Sequence, residues 1–144
     1  MNKKGFTLIE LLIVIAIIGL LSTLAVVALG SARVKARDSK RLADLKQVQT
    51  ALELYYSENN SYPAGSGINL GDDTNYCLNS EGFKAKGCTN AYMPMVPTDP
   101  NTDVYYVYTA ASSTYSISAS LEGNVNGLEG TITLSPAGIE KVTQ

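Results

Sequence analysis

The sequence predicts an α+β fold: one long N-terminal helix, membrane-spanning in its first half and amphipathic in its second, packed on a small C-terminal antiparallel sheet. Residues 6–57 contain no proline and carry apolar side chains at helical spacing, whereas residues 104–134 alternate apolar and polar side chains as strands do. The chain has 144 residues, enough for one modest core. We therefore expect a helical segment followed by one globular head.

The first part of the helix, residues 6–30, is a candidate membrane span. An apolar helix of this length can cross a hydrocarbon layer of about 30 Å. An ordinary secretory signal peptide has an apolar stretch of only about 7–15 residues before a small-residue cleavage site, so processing of that kind is not expected here. The polar residues within the apolar run are Thr7, Glu10, Ser22 and Thr23.

The helical pattern continues through residues 31–60 as an amphipathic helix. Asn59 and Asn60 suit a left-handed cap, and Pro63 prevents the helix from continuing. One face of this segment is predicted to be buried. Its apolar residues are Leu42, Leu45, Val48, Leu52 and Tyr55.

A run of cations follows the span and outnumbers Lys3 and Lys4 before it. The positive-inside rule alone would therefore place the residues after the span, rather than the N-terminus, in the cytoplasm. Because Asp38 and Asp44 are interspersed, the run is interpreted as a solvated helix face or a set of intersubunit partners rather than a nucleic-acid site. The cations are Arg33, Lys35, Arg37, Lys40 and Arg41.

Residues 61–144 are expected to form the head. Prolines and glycines predict an irregular connection up to about residue 103, and strands are then predicted at 104–109, 114–121 and 131–134. Their apolar face is expected to pack on the stripe of the helix. In the second strand that face consists of Tyr115, Ile117, Ala119 and Leu121.

Composition argues against several function classes. The formal net charge is −2, without the excess of basic residues that nucleic-acid-binding domains carry. The chain has no histidine, which removes the commonest general base and metal ligand. No G-x-S-x-G, P-loop or cysteine-rich metal pattern is present. We therefore do not expect an enzyme.

Cys77 and Cys88 are the two cysteines of the chain. An isolated pair outside the cytoplasm is more often a disulfide than a reactive site, so we expect them to be bonded. The alternative is two unpaired thiols in a cytosolic protein, and the candidate membrane span argues against it.

The N-terminal octapeptide Lys3-Lys4-Gly5-Phe6-Thr7-Leu8-Ile9-Glu10 places an acid inside the start of the apolar run. A carboxylate near the membrane interior costs a few kcal/mol without a partner, and such residues are usually functional. The alternative is that Glu10 lies close enough to the lipid headgroups to stay hydrated.

The octapeptide and the apolar run behind it resemble the class III signal of type IV pilins and pseudopilins, over roughly the first third of the chain. The resemblance implies that a prepilin peptidase cuts after Gly5 on the cytoplasmic side, removing the leader 1–5, and methylates the new N-terminal residue Phe6. It also implies that Glu10 pairs with the N-terminal amine of a neighbouring subunit. Most pilins carry a proline where this chain has Val27, which leaves the bending of this helix in a filament open.

A looser resemblance links Tyr62-Pro63 and the stretch Val96-Pro97-Thr98-Asp99-Pro100 to the head of the major pseudopilins of type II secretion. In those proteins a loop near the final strands can bind calcium. The spacing of Asp99, Asn101 and Asp103 suits hard oxygen ligands, so these three residues are calcium candidates.

An EF-hand is excluded at this loop, because Val104 replaces the turn glycine and Ala110 the terminal glutamate. The alternative to a calcium site is a turn whose Asp and Asn side chains cap backbone amides. No cofactor other than calcium is expected.

Tyrosine is abundant, with 9 residues that cluster near the helix end and in the first predicted strand. They are interpreted as strand and helix residues that pack on the body and keep the hydroxyl group wet, and an aromatic strip for sugars or DNA is the alternative. The clusters are Tyr55-Tyr56 and Tyr105, Tyr106 and Tyr108.

These observations favour a structural subunit of a type IV pilus-like filament for adhesion, motility or DNA uptake. Its expected partners are copies of itself, a prepilin peptidase and an assembly platform in the inner membrane, with no direct binding of nucleic acid. We expect a single-pass membrane protein before assembly and an extracellular pilus afterwards. The alternative is the major pseudopilin of a type II secretion system, in a periplasmic pseudopilus. A distant alternative is a membrane-tethered binding module.

Overall fold

The structure is a computed structural model that describes residue 1 and residues 5–142, so Lys3 and Lys4 lie outside the described residues. The chain divides into two compact units, Met1–Val34 and Lys35–Gln144. Within the described residues one helix, α1 (Leu8–Asn59), precedes seven strands. The strands are β1 (Gly65–Leu70), β2 (Cys77–Asn79), β3 (Gly82–Lys84), β4 (Tyr106–Ala111), β5 (Thr114–Val125), β6 (Leu128–Ser135) and β7 (Gly138–Lys141).

Helix α1 begins with a capping box. The backbone N–H of Glu10 donates to the Thr7 hydroxyl (3.4 Å), and the backbone N–H of Thr7 donates to the Glu10 carboxylate (2.8 Å). The helix ends where Asn60 adopts a φ of 53° and its N–H donates to the carbonyl of Tyr56 (2.8 Å). Between these caps lie 52 residues of one unbroken helix, as predicted, and Val27 is one of them.

In the first unit the helix surface is apolar and unburied. An 18-residue window of α1 near its N-terminus has a mean hydropathy of 3.0, and none of that window is buried. The hydroxyls of Ser22 and Thr23 donate to the carbonyls of Ile18 and Leu20, at 2.7 and 2.8 Å. A lipid interior offers no water to such groups, so these bonds suit a membrane helix. By length and composition, α1 is able to cross a membrane.

The second unit contains a five-stranded antiparallel sheet in the order β1-β4-β5-β6-β7, and β2 and β3 form a separate hairpin. Strand β5 buries Tyr115, Ile117, Ala119 and Leu121, the four residues predicted to share a face. The predicted stripe of α1 joins them in the core, with Leu42 partly buried at its edge. The buried stripe residues are Leu45, Val48, Leu52 and Tyr55.

Parts of the head differ from the prediction. Residues 61–103 are not wholly irregular, because they contain β1, β2 and β3. Strand β4 begins at Tyr106, two residues after the predicted start. Strand β7 is not predicted by any sequence pattern. Both β1 and β7 are edge strands, and with one paired side and few buried residues they need little apolar alternation.

Cys77 and Cys88 form a disulfide, which confirms the predicted pairing. The bond joins residues separated by 11 positions and anchors the segment after β3 to the buried Cys77 in β2. Closing a loop of this size restricts the unfolded chain by about 3 kcal/mol in the chain-entropy model. The disulfide therefore compensates for the small size of the β2–β3 hairpin.

Replacing both cysteines, Cys77→Ser with Cys88→Ser, should lower the free energy of unfolding by about 3 kcal/mol, because the unfolded chain regains the freedom of the open loop. Denaturant unfolding of the full chain measures this. A reductant should bring the wild type to the stability of the variant and leave the variant unchanged. A wild type insensitive to reductant would contradict the expectation.

Candidate functional site

The residues predicted for processing lie just before α1. Gly5 and Phe6 are both exposed and neither is helical, and the Phe6 side chain is 80% exposed. The Gly5–Phe6 bond is therefore accessible and lies outside regular secondary structure, where proteolysis concentrates.

The carboxylate of Glu10 is half satisfied within its own chain. Its Oε2 atom accepts hydrogen bonds from the backbone N–H of Thr7 (2.8 Å) and from the Thr7 hydroxyl (2.5 Å). Among the described residues, Oε1 accepts no hydrogen bond and the carboxylate has no cationic partner. Glu10 therefore offers one oxygen atom to a donor from outside the described chain.

The neighbours of Glu10 in the first turns of α1 are exposed and apolar. Leu8 is 79% exposed, Ile9 66% and Leu11 58%. In a membrane these side chains would contact lipid or another helix, so the free oxygen of Glu10 would face surroundings of low polarity. Glu10 is separated from the exposed Gly5 and Phe6 by the capping turn, which begins at Thr7.

The three calcium candidates do not form a free set of oxygen ligands. Both carboxylate oxygens of Asp99 accept from the guanidinium of Arg41, at 2.7 and 2.8 Å, and Oδ1 also accepts from the backbone N–H of Asn101 (2.8 Å). The side-chain amide of Asn101 donates to Glu122 (3.0 Å). Within the described residues no group of three His, Cys, Asp or Glu could hold a metal ion. Asp99 caps a backbone amide here, the alternative considered for this turn.

Arg41 is the buried centre of a charge cluster, which comprises Arg41, Asp38, Asp99 and Glu122. The Arg41 side chain is 1% exposed. Besides its two bonds to Asp99, its Nη1 atom donates to Asp38 (2.7 Å) and to Glu122 (2.8 Å). Three elements contribute the acids: α1, the loop before β4, and β5.

Asp38 also holds the end of β5. Its two carboxylate oxygens accept the backbone N–H groups of Glu122 (3.0 Å) and Gly123 (2.8 Å). The pairing of β5 with β6 shifts register between Leu121 and Val125, so this bulged segment needs partners outside the sheet for its amides. Asp38 supplies two of them from α1.

The pKa values of Glu122, Asp99 and Arg41 are shifted in the directions expected for ion pairs. Hydrogen bonds from Arg37 and then from Arg41 lower the pKa of Glu122 to about 2. Burial alone would raise the pKa of Asp99, but the bonds from Arg41 and from the Asn101 amide lower it below its ordinary value. The pKa of Arg41 is raised, chiefly by its bonds to Asp99. Glu122, Asp99 and Arg41 are therefore charged at neutral pH.

The interpretation of the basic run as a solvated face is wrong for Arg41, which is in the core. It holds better for the neighbouring cations, since Lys40 is exposed and pairs with Asp44 (2.6 Å), and Arg37 pairs with Glu122. Continuing the 3–4 spacing of the buried stripe towards the N-terminus distinguishes Arg41 from the exposed cations. Asp38 and Arg41 lie seven and four residues before Leu45, on the buried stripe.

The tyrosines of β4 belong to the core, as the packing interpretation expects, but their hydroxyls are not wet. Tyr106 and Tyr108 are fully buried. The hydroxyl of Tyr106 donates to Asp44 (2.9 Å), and that of Tyr108 donates to the carbonyl of Pro63 (2.7 Å). These two side chains are therefore unavailable to a sugar or to DNA, whereas Tyr105 is partly exposed.

Acid should destabilise the head over a defined interval of pH. The pKa of Glu122 is about 2 in the folded protein against an ordinary 4.5, so between these values the unfolded chain binds more protons. Its stabilising contribution is present above about pH 4.5 and lost as the pH falls towards about 2. Thermal unfolding in a pH series should show this decline. Glu122→Gln should lower Tm at neutral pH and make the acid decline shallower, and an unchanged slope would contradict the assignment.

Comparison with known proteins places the two halves of the sequence in related groups. The prokaryotic N-terminal methylation motif matches residues 1–30, and the family described as type II secretion system (T2SS), protein G matches residues 28–133. No solved structure matches the chain.

Curated relatives come from both secretion systems and pili. The type II secretion system core protein G of Pectobacterium carotovorum is 39% identical over 44% of this chain and 40% of its own length. The type IV wide pilus major component PilA4 of Thermus thermophilus is 46% identical over 49% of this chain and 55% of its own. The type IV major pilin protein PilA of Myxococcus xanthus is 39% identical over 42% of this chain and 28% of its own length. The chain thus spans about half the length of these relatives or less.

The protein G match covers more than half of the chain and includes the second half of α1 and the sheet as far as β6. The methylation motif covers the residues before α1 that are predicted to be processed. The chain therefore belongs to the type II secretion system protein G family, whose relatives include type IV pilins, and it has the α+β fold of a pilin.

Proposed function

We propose that this chain is a structural subunit of a type IV pilus-like filament, matured by a prepilin peptidase and polymerised through its N-terminal helix. In this proposal residues 1–5 are the leader that is removed, 6–30 the membrane and assembly helix, 31–60 its amphipathic continuation and 61–144 the head. The observation that carries the proposal is Glu10, an acid in an exposed apolar helix whose Oε1 atom accepts no hydrogen bond from any residue between 5 and 142.

An ionised carboxylate at the centre of a membrane helix costs about 3 kcal/mol, and less towards its end. Removal of the leader would create an amine on Phe6, and with an ordinary pKa near 8 this amine is charged at neutral pH. At about 4 Å, its attraction to a carboxylate rises from about 1 kcal/mol in water to about 4 kcal/mol at an effective dielectric constant of 20. The new terminus of a neighbouring copy is therefore a suitable partner for Oε1 of Glu10.

This pair would also set the register of the filament. Apolar helices have no hydrophobic reason to leave lipid for one another, so association depends on packing and on polar contacts. One acid at position 10 and one amine at position 6 define a single axial offset between adjacent copies. A membrane-tethered binding module, the distant alternative, has no need of such an acid and would tolerate Glu10→Leu.

The proposed partners are further copies of the chain, a prepilin peptidase and an assembly platform in the inner membrane. The subunit would be a single-pass membrane protein before assembly and part of an extracellular filament afterwards. Its role would be structural rather than catalytic, and direct contact with nucleic acid is not proposed.

A second candidate function is the major pseudopilin of a type II secretion system, in a periplasmic pseudopilus. The protein G family match over residues 28–133 favours it, whereas the 46% identical relative is a pilus component. Electron microscopy of cells that carry or lack the gene separates the two. Long surface fibres that disappear on deletion favour the pilus, and loss of protein secretion without fibres favours the pseudopilus.

The mass of the mature protein tests the processing step. Intact-mass spectrometry of protein purified from the membrane should give the mass of residues 6–144 plus one methyl group, with Phe6 as the first residue. An uncut Met1, or a cut near Ala32, would remove the processing part of the proposal.

Glu10→Ala should leave cleavage intact and abolish efficient polymerisation, because the amine of the next copy loses its partner. Sheared-filament yield and electron microscopy measure assembly, and the intact mass verifies processing. Glu140→Ala, which removes an exposed carboxylate from β7, is the matched control and should assemble normally. Filaments from Glu10→Ala at the wild-type level would refute the role of this acid.

A further inference from the structure

The loop 97–103, where the resemblance to the major pseudopilins suggests calcium, is already bound to a cation of the same chain. Arg41 reaches this loop from α1 and binds both carboxylate oxygens of Asp99 through Nε (2.7 Å) and Nη2 (2.8 Å). The guanidinium is almost completely buried, at 1% exposure, and Asp99 is 0% exposed in its side chain. This planar, bidentate contact is the geometry in which arginine binds a carboxylate most strongly.

The residues around the loop do not fit a calcium ion. Calcium takes 6–8 oxygen ligands, with carboxylates as the charged members. Both Asp99 oxygens are occupied by N–H donors, and Asn101 uses its side chain to donate to Glu122. Asp103 is exposed and has a φ of 63°. A calcium ion that took both oxygens of Asp99 as ligands would have to displace a buried guanidinium that three acids hold.

We infer that Arg41 is the resident cation of this head and performs the task that a divalent ion would otherwise perform. Its guanidinium joins Asp38 of α1, Asp99 of the loop and Glu122 of β5. A calcium ion that bridged the same segments would neutralise the same kind of ligand. Because arginine is covalently part of the chain, the loop and the end of β5 stay attached to α1 whatever the concentration of divalent cations.

A second guanidinium strengthens this arrangement. Arg37 pairs with Glu122 from the next turn of α1, so that two guanidinium groups face the three acids of the cluster. The side chain of Arg37 is 33% exposed, whereas that of Arg41 is 1% exposed. Arg41 is therefore the cation that is shielded from solvent, and Arg37 binds the same cluster from the surface. This inference concerns the head and stands whether or not the filament proposal is correct.

The test uses the full chain in detergent, with thermal unfolding in millimolar calcium chloride or in excess EGTA. The wild type should unfold at the same Tm in both, and calorimetric titration with calcium should give no binding heat. A wild type that calcium stabilises by several degrees, with the effect lost in Asp103→Ala, would overturn the inference.

Variants of Arg41 test the positive half of the inference. Arg41→Ala leaves three buried or partly buried acids without their central cation and should lower Tm by roughly 10 °C or more. Calcium should then raise the Tm of this variant, because the vacated acids can bind it. Arg33→Ala, at an exposed position of the same helix, is the control and should unfold like the wild type.

Arg41→Lys covers the case in which Arg41→Ala does not fold. It keeps the charge but loses the planar fork, so it should fold with a Tm between those of the wild type and a chain without the cation. Arg41→Lys with the Tm of the wild type would overturn the inference, and so would an Arg41→Ala protein that is as stable as the Arg33→Ala control.

Discussion

A single helix has to meet two different environments, and the rest of the structure follows from the point at which its surface changes. From Leu8 to Arg33 every residue of α1 is exposed, and most are apolar, as lipid requires. Beyond that point one face of the same helix is buried by the head. The first buried positions are not apolar but charged, since Asp38 and Arg41 precede Leu45. The core of the head therefore begins with an ion pair.

Burying charge is a costly way to begin a core, because apolar side chains of similar volume often stabilise as well or better. A guanidinium makes a buried ion pair directional, because its N–H bonds point in fixed directions within one plane. Arg41 uses those directions to meet acids from three segments. Asp38 then holds two amides of the β5 bulge. The cluster thus joins the loop and the strand to the helix through directional contacts.

The periodic parts of the fold could be predicted because their information is local. The spacing of Leu45, Val48 and Leu52 and the alternation along β5 each repeat within a few residues, and the structure buries them as expected. The charge cluster could not be predicted in the same way, because Arg41 finds its partners 58 and 81 positions away. Edge strands such as β7 were missed for a related reason, since little burial leaves little pattern. Glu10 was visible because an acid stands out in an apolar run, but its half-satisfied state depends on geometry.

Glu10 and Arg41 are two solutions to the same physical problem, a charge that leaves water. Arg41 is satisfied by acids of its own chain. Among the residues that the structure describes, Glu10 receives hydrogen bonds on one oxygen only, from Thr7 within its own capping turn. A buried charge whose partners all lie in its own chain is satisfied on folding. A charge with an open hydrogen-bonding position favours binding to a group that supplies the missing donor. The chain thus satisfies its buried cation within the folded unit Lys35–Gln144, whereas the carboxylate near the start of the helix keeps one oxygen open to a donor beyond the described residues.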